Sequence, residues 1–259
     1  MKNQSKNLTL FLIIAFTIPF ISVLMQGIID SALIQFLLYG IEAASPTIAA
    51  LIVIYMSKDS KAFWIKNIKT KKLGAALILP VIIVITTMFL SKLVYFFLTD
   101  SVFAAPNISI RQFIIILWAL IAEEIGWRGY LQPLLSGQMK KVWLVPFVVG
   151  VIWALWHYHY FLLTGMQVPF TLFFIGCIVE SYIYNYLLVK TEYNLISAMM
   201  YHFAWNLGLH LFALNPADNN GSLLPYFILI ILETVFLILL FLKNKMASNE
   251  IPVLCKDEH

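Results

Sequence analysis

The sequence predicts an all-α fold, a polytopic membrane helical bundle of about eight transmembrane helices built as one domain over 1–259. Three observations lead there. Hydrophobic residues make up 61% of the chain and charged residues only 12%, against about 25% charged in soluble domains. The mean hydropathy is +0.88. Apolar runs of roughly 20 residues, enough to cross a hydrocarbon layer, recur along the whole length. Lysines collect in alternate loops between those runs, as the positive-inside rule requires of cytoplasmic loops.

The predicted spans are 8–29, 31–56, 73–98, 111–135, 141–163, 168–190, 193–213 and 223–242. Lys2 and Lys6 precede the first run, which continues without an A-x-A-like cleavage site and so reads as an uncleaved span. The second contains Glu42 and Pro46 and is expected to kink or break. The loop that follows holds Lys58, Lys61, Lys66, Lys69, Lys71 and Lys72, a strong cytoplasmic signal. Phe63 and Trp64 lie among those lysines. An amphipathic segment resting on anionic lipid is one reading of 57–72, and an ordinary positive-inside loop is the simpler one. In the fourth span apolar character fails at Glu123, so its second half, through Tyr130 and Leu135, reads as a separate or interfacial turn of helix. Alternation from the lysine-rich loop places both termini, Lys140, Lys141, Lys190, Lys243 and Lys245 on the cytoplasmic side. The loops on the other side contain almost no lysine. The net charge of +4 is accounted for by these loops and calls for no nucleic-acid partner. Cys177 in an apolar run and Cys255 in the polar tail make neither a disulfide framework nor a thiolate metal site.

Polar residues at membrane depth carry the functional signal. A charge at the bilayer centre costs ~2.5–3.5 kcal/mol on insertion scales, and such residues are functional candidates by default. The fourth span reads Glu123-Glu124-Ile125-Gly126-Trp127-Arg128. Glu124 and Arg128 are four residues apart and can pair on one helix face. Glu123 is rotated by about 100° from Glu124, which frees it to face a wet cavity as a general base. Trp153 and His157 share a face of the fifth span, and His202 and Asn206 share one on the seventh. A carboxylate, two imidazoles and a carboxamide from three spans can activate water and stabilise an oxyanion. No serine or cysteine stands at a comparable position, which favours water over a covalent nucleophile.

The ordered set E-E-x-x-x-R, aromatic-x-x-x-His and H-x-x-x-N resembles the CPBP family of intramembrane CAAX proteases and bacteriocin-processing (Abi) proteins, related to the Ras-converting CAAX endopeptidase. The matching residues are Glu123, Glu124, Arg128, Trp153, His157, His202 and Asn206, with the strings from Arg128 to Gln132 and from Trp153 to His157 also family-like. The likeness covers about 120–210, within a core of about 111–213. The preceding spans, over 8–98, resemble nothing specific. Many members have phenylalanine where this chain has Trp153, and both are large aromatics. The resemblance implies peptide-bond hydrolysis inside the membrane. It implies Glu123 as general base, His157 holding the attacking water, His202 and Asn206 on the oxyanion, and Glu124 and Arg128 as support. It implies a membrane-associated peptide or protein substrate, CAAX-type or bacteriocin-related, and an integral location in a plasma membrane of bacterial type. The family is often classed with metalloproteases. No H-E-x-x-H pair occurs here, yet Glu123, His157 and His202 could form a His₂Glu zinc site. The expectation is that no cofactor is used.

The remaining polar residues have simpler readings. His159 fits an aromatic belt beside Tyr158 and Tyr160; His210, two turns beyond His202, could face the same cavity, but a structural histidine near the membrane edge is the simpler reading. Glu42 and Glu233 read as helix-contact or snorkelling residues. Glu180 is unusual in mid-span, where it could contact substrate, accept a proton or pair with Asn185. Two other functions compete with proteolysis. A proton- or solute-coupled transporter would use the same residues as a relay, although the sequence lacks repeats and broken-helix pairs. A non-catalytic bacteriocin self-immunity protein would bind a partner in the bilayer.

Overall fold

A computed structural model describes residues 2–57, 63, 71–99, 108–163 and 166–247. Most of the lysine-rich loop and the polar tail with Cys255 lie outside these residues, so the readings made for them are not addressed. Ten α-helices follow in order: α1 (Lys2–Gln26), α2 (Ala32–Ser57), α3 (Leu73–Thr99), α4 (Ile110–Glu124), α5 (Gln132–Ser136), α6 (Val145–Trp156), α7 (Tyr158–Leu163), α8 (Phe170–Lys190), α9 (Leu195–Leu211) and α10 (Leu224–Ala247). No strand occurs among the described residues. The chain is a helical membrane bundle. Among the described residues, six segments are long and apolar enough to cross a membrane: those of α1, α2, α3, α6 with α7, α8 and α10.

The other two predicted spans fall short of that criterion, and both carry the site. α9 has 17 residues and α4 has 15. α4 is extended by a π-helical turn, Ile125–Leu131, and then by α5, so the helical path runs unbroken to Ser136. The expected separate or interfacial turn is therefore corrected. Ile125, Gly126, Trp127, Arg128, Gly129 and Leu131 are all buried, because α2 packs against this turn. A Cβ on Gly126 would stand 2.4 Å from the Pro46 carbonyl carbon, so only glycine permits the approach.

α2 is continuous through Pro46, which corrects the expected break. The proline removes one backbone donor. Neighbouring hydroxyls instead tie the helix to others, Ser45 Oγ donating to the Ala15 carbonyl (2.9 Å) and Thr47 Oγ1 to the Ile121 carbonyl (3.1 Å). Trp156 Nε1 donates to Ser45 Oγ as well (2.9 Å), joining α1, α2 and α6. Capping fixes where the two short helices begin. Ser109 and Gln112 form a reciprocal capping box on α4. The Asn194 side chain accepts from the Ile196 amide at the start of α9. Asn194 Nδ2 also donates to the Lys71 carbonyl (3.2 Å), which puts the two lysine-bearing loops at one end of the bundle.

Candidate active site

Glu123 is the last-but-one residue of α4 and is 4% exposed. Its Oε2 accepts from Trp153 Nε1 at 2.9 Å. Its Oε1 lies 4.0 Å from His202 Nε2. The π-helical turn starts two residues later, and widened turns of this kind recur at functional sites. Glu124 turns the other way. Its Oε1 accepts from Arg128 Nη1 at 3.1 Å and from His202 Nδ1 at 2.7 Å. The expected Glu124–Arg128 pair is present, and Glu124 does one thing more: it fixes the His202 ring. A carboxylate can only accept, so Nδ1 carries the proton and Nε2 is the atom turned towards Glu123.

His157 ends α6 at a break before α7. Its Nδ1 donates to the Trp153 carbonyl (2.7 Å), which leaves Nε2 free to accept. The Trp153 indole is the hub of the cluster. Its ring centroid is 5.3 Å from that of His157 and 6.3 Å from that of His202. The Arg128 guanidinium lies 4.3 Å over the Trp153 ring and 3.7 Å over Tyr184. Arg128 is thus held by one carboxylate and two aromatic faces, while its Nε and Nη2 have no hydrogen-bond partner among the described residues.

One cavity of about 590 Å³ receives Glu123, Trp153, His157, His202 and Asn206 together. All four residues expected to be catalytic line it, while Glu124 and Arg128 sit behind the wall. The exposed lining residues Gln112, Gln167, Ala217 and Asp218 mark its mouth. His210 and Glu180 also line the cavity. His210 thus reaches the cavity, the first of the two readings made for it. Glu180 does not pair with Asn185, whose Oδ1 accepts from Gln132 Nε2 (2.9 Å). His159 is fully buried, with Nδ1 donating to the Trp156 carbonyl (2.8 Å) and Nε2 4.0 Å from Glu42 Oε2. That replaces its assignment to an aromatic belt. Glu42 and Glu233 are buried helix contacts, bonded to Gln26 and Tyr201 respectively.

Lys92 was not legible as part of this region. It is 1% exposed in α3, and its Nζ donates to the Ala213 carbonyl (3.2 Å) and Asn219 Oδ1 (2.9 Å), so it braces the loop at the cavity mouth. The only available signal was a lysine close to a span end. Among the described residues, no group of three or more His, Cys, Asp or Glu is arranged to hold a metal ion. His202 has one ring nitrogen committed to Glu124, and Glu123 has one oxygen committed to Trp153. Those bonds, with His157 Nδ1 given to the Trp153 carbonyl, leave His202 Nε2, His157 Nε2 and Glu123 Oε1 as the atoms that would hold a metal ion.

These features define a class: a polytopic membrane helical bundle with a carboxylate, two imidazoles and a carboxamide around one cavity. Residues 105–208, which include every motif residue, match the family described as Type II CAAX prenyl endopeptidase Rce1-like. The chain is also similar to CAAX prenyl protease 2 of Methanococcus maripaludis, at 22% identity over 191 residues covering 66% of this chain and 70% of that protein. Both matches are to CAAX endopeptidases, and the first spans less than half of the chain. They lend nothing to the transporter or self-immunity readings.

Proposed function

We propose that the protein is an intramembrane endopeptidase that hydrolyses a peptide bond of a membrane-associated peptide or protein with water activated by Glu123. The observation that carries this is the orientation of the site: Glu123 Oε1, His202 Nε2 and Asn206 meet one cavity, with Glu123 held from behind by Trp153.

Water within reach of Glu123 Oε1 and His157 Nε2 gives its proton to the carboxylate as its oxygen attacks the scissile carbonyl. A positioned base of this kind contributes about 10²–10⁴-fold. The oxyanion that forms is met by His202 Nε2–H and by the Asn206 amide. With Nδ1–H already given to Glu124, a proton on Nε2 makes His202 an imidazolium. That charge balances Glu123, while Arg128 balances Glu124. On collapse the C–N bond breaks, and the proton held by Glu123 passes to the leaving amine. No step runs through a metal ion.

CAAX-type and bacteriocin-related chains are the substrate classes we favour, the former because the archaeal relative is named for a prenyl substrate. In the membrane we orient the bundle with both termini and the lysine-bearing loops in the cytoplasm.

The test compares membrane proteomes of cells carrying wild type or Glu123→Gln, followed by cleavage of the peptides found, using both purified proteins. Glu123→Gln is expected to lose at least about a hundredfold of activity with expression unchanged. Full cleavage by that variant overturns the reading. Activity that disappears on chelation and returns with zinc overturns the metal-free route.

A further inference from the structure

The cavity wall has a second acidic feature that the hydrolytic cycle does not use. Glu180 lies on α8, lines the cavity and is only 4% exposed. Among the described residues no hydrogen bond or ion pair reaches its carboxylate. Its strongest charged neighbour is Glu233, which has the same sign. Arg128 is a positively charged neighbour, but its hydrogen bond goes to Glu124. A buried carboxylate left without a partner is costly, and natural proteins keep such groups where something pairs with them.

The surroundings of Glu180 suit a cation. Trp205 and Tyr226 line the cavity with it, and Tyr226 Oη and Glu180 Oε1 both stand beside Gly176. Gly176, one turn earlier on α8, keeps the space beside the carboxylate clear: a Cβ there would stand 3.8 Å from Glu180 Oε1 and 3.1 Å from Tyr226 Oη. The cavity as a whole repeats the pattern. Its lining includes the carboxylates of Glu123, Glu180 and Asp218, and no lysine or arginine.

We infer that Glu180 is a substrate-binding residue, the floor of a subsite that takes a lysine or arginine side chain of the peptide near the scissile bond. This rests on the endopeptidase reading and narrows it, from membrane-associated peptides in general to segments bearing a basic residue. The ammonium or guanidinium enters over the aromatic faces and donates to the Glu180 carboxylate.

The experiment uses the full chain in lipid nanodiscs and three acyl-anchored, quenched fluorescent peptides that differ only in Lys, Gln or Glu beside the scissile bond. Wild type is expected to cleave the Lys peptide with a KM at least about tenfold below that of the Gln peptide, the size of one charge-assisted hydrogen bond. In Glu180→Gln, nearly the same in shape, that ratio falls to about one. In Glu180→Lys the preference moves to the Glu peptide. A KM ratio that is the same in wild type and Glu180→Gln, or the absence of any preference in wild type, overturns the proposal. If none of the peptides is cleaved in a Glu123-dependent way, the hydrolytic reading fails by itself. Anisotropy of the same Lys and Gln peptides on Glu123→Gln protein, with and without Glu180→Gln, still decides the subsite: tighter Lys binding that needs Glu180 supports it, and equal binding overturns it.

Discussion

At the scale of single residues, the site is a chain of one-sided commitments. Trp153 has one polar atom, and it goes to Glu123; Glu124 spends Oε1 on both Arg128 and His202. Each bond fixes one end of a catalytic side chain and leaves the other end for the cavity. Trp153→Phe keeps the aromatic packing and removes only the donor. A hydrogen bond to a charged group contributes about 1.5–3 kcal/mol, so turnover is expected to fall about tenfold to a hundredfold, with thermal stability in detergent little altered. A loss of folded protein in place of lost turnover would show that the indole acts through packing. The Glu124–Arg128 pair makes a contrasting case, since neither side chain is exposed. Arg128→Met strands a buried carboxylate, for which about 3–5 kcal/mol of destabilisation is expected. Adding Glu124→Leu should recover much of the melting temperature, because a buried pair can often be replaced by apolar residues. Peptide cleavage should stay low in the double variant, because His202 has then lost the acceptor that orients its ring. Recovery of both stability and cleavage would contradict the role given to Glu124.

At the scale of elements, the π-helical turn decides where the chemistry sits. It widens the helix after Glu124 and brings Gly126 against Pro46 of α2, so a polar stretch is clamped within the bundle instead of facing lipid. Gly126→Ala forces a Cβ into the α2 backbone, and overpacking of this kind costs about 1–3 kcal/mol. The expected result is a lower melting temperature with a parallel loss of cleavage. Gly74→Ala, where a Cβ meets nothing within 4 Å, is the matched control and should behave as wild type. Equal melting temperatures for the two variants would remove the argument for close approach. His157 shows the same principle at a helix end. The break between α6 and α7 lets its Nδ1 turn back to the Trp153 carbonyl.

At the scale of the whole molecule, the ends of the bundle differ. Lys71, Lys140, Lys141 and Lys190 lie in the loops at one end, whereas the cavity mouth is marked by Gln112, Gln167, Ala217 and Asp218 at the other. In the orientation proposed above, the mouth therefore faces away from the cytoplasm. Asp218→Cys, in a background lacking Cys177 and Cys255, should react with a membrane-impermeant maleimide in intact cells, and Lys141→Cys should react only after the cells are opened. The reverse pattern would turn the bundle over.

Much of this was readable before any coordinates. Composition and the length of the apolar runs dictate a helical membrane bundle, because a backbone in lipid must satisfy its own hydrogen bonds. Polar residues at membrane depth marked Glu123, Glu124, Arg128, His157, His202 and Asn206, and four-residue spacing gave the Glu124–Arg128 pair, since that interaction is local to one helix. What remained depends on contacts between helices, which spacing along the chain does not encode. Glu124 turning to His202, Trp153 reaching Glu123, His159 passing from the membrane edge to the core, Lys92 bracing the mouth, and Glu180 opening onto the cavity without a partner are all of that kind. The sequence by itself determined which groups would have to be buried, because their transfer cost is a property of each side chain. Only the tertiary structure decided which partner each would find, because partners are chosen by the packing of one helix on another.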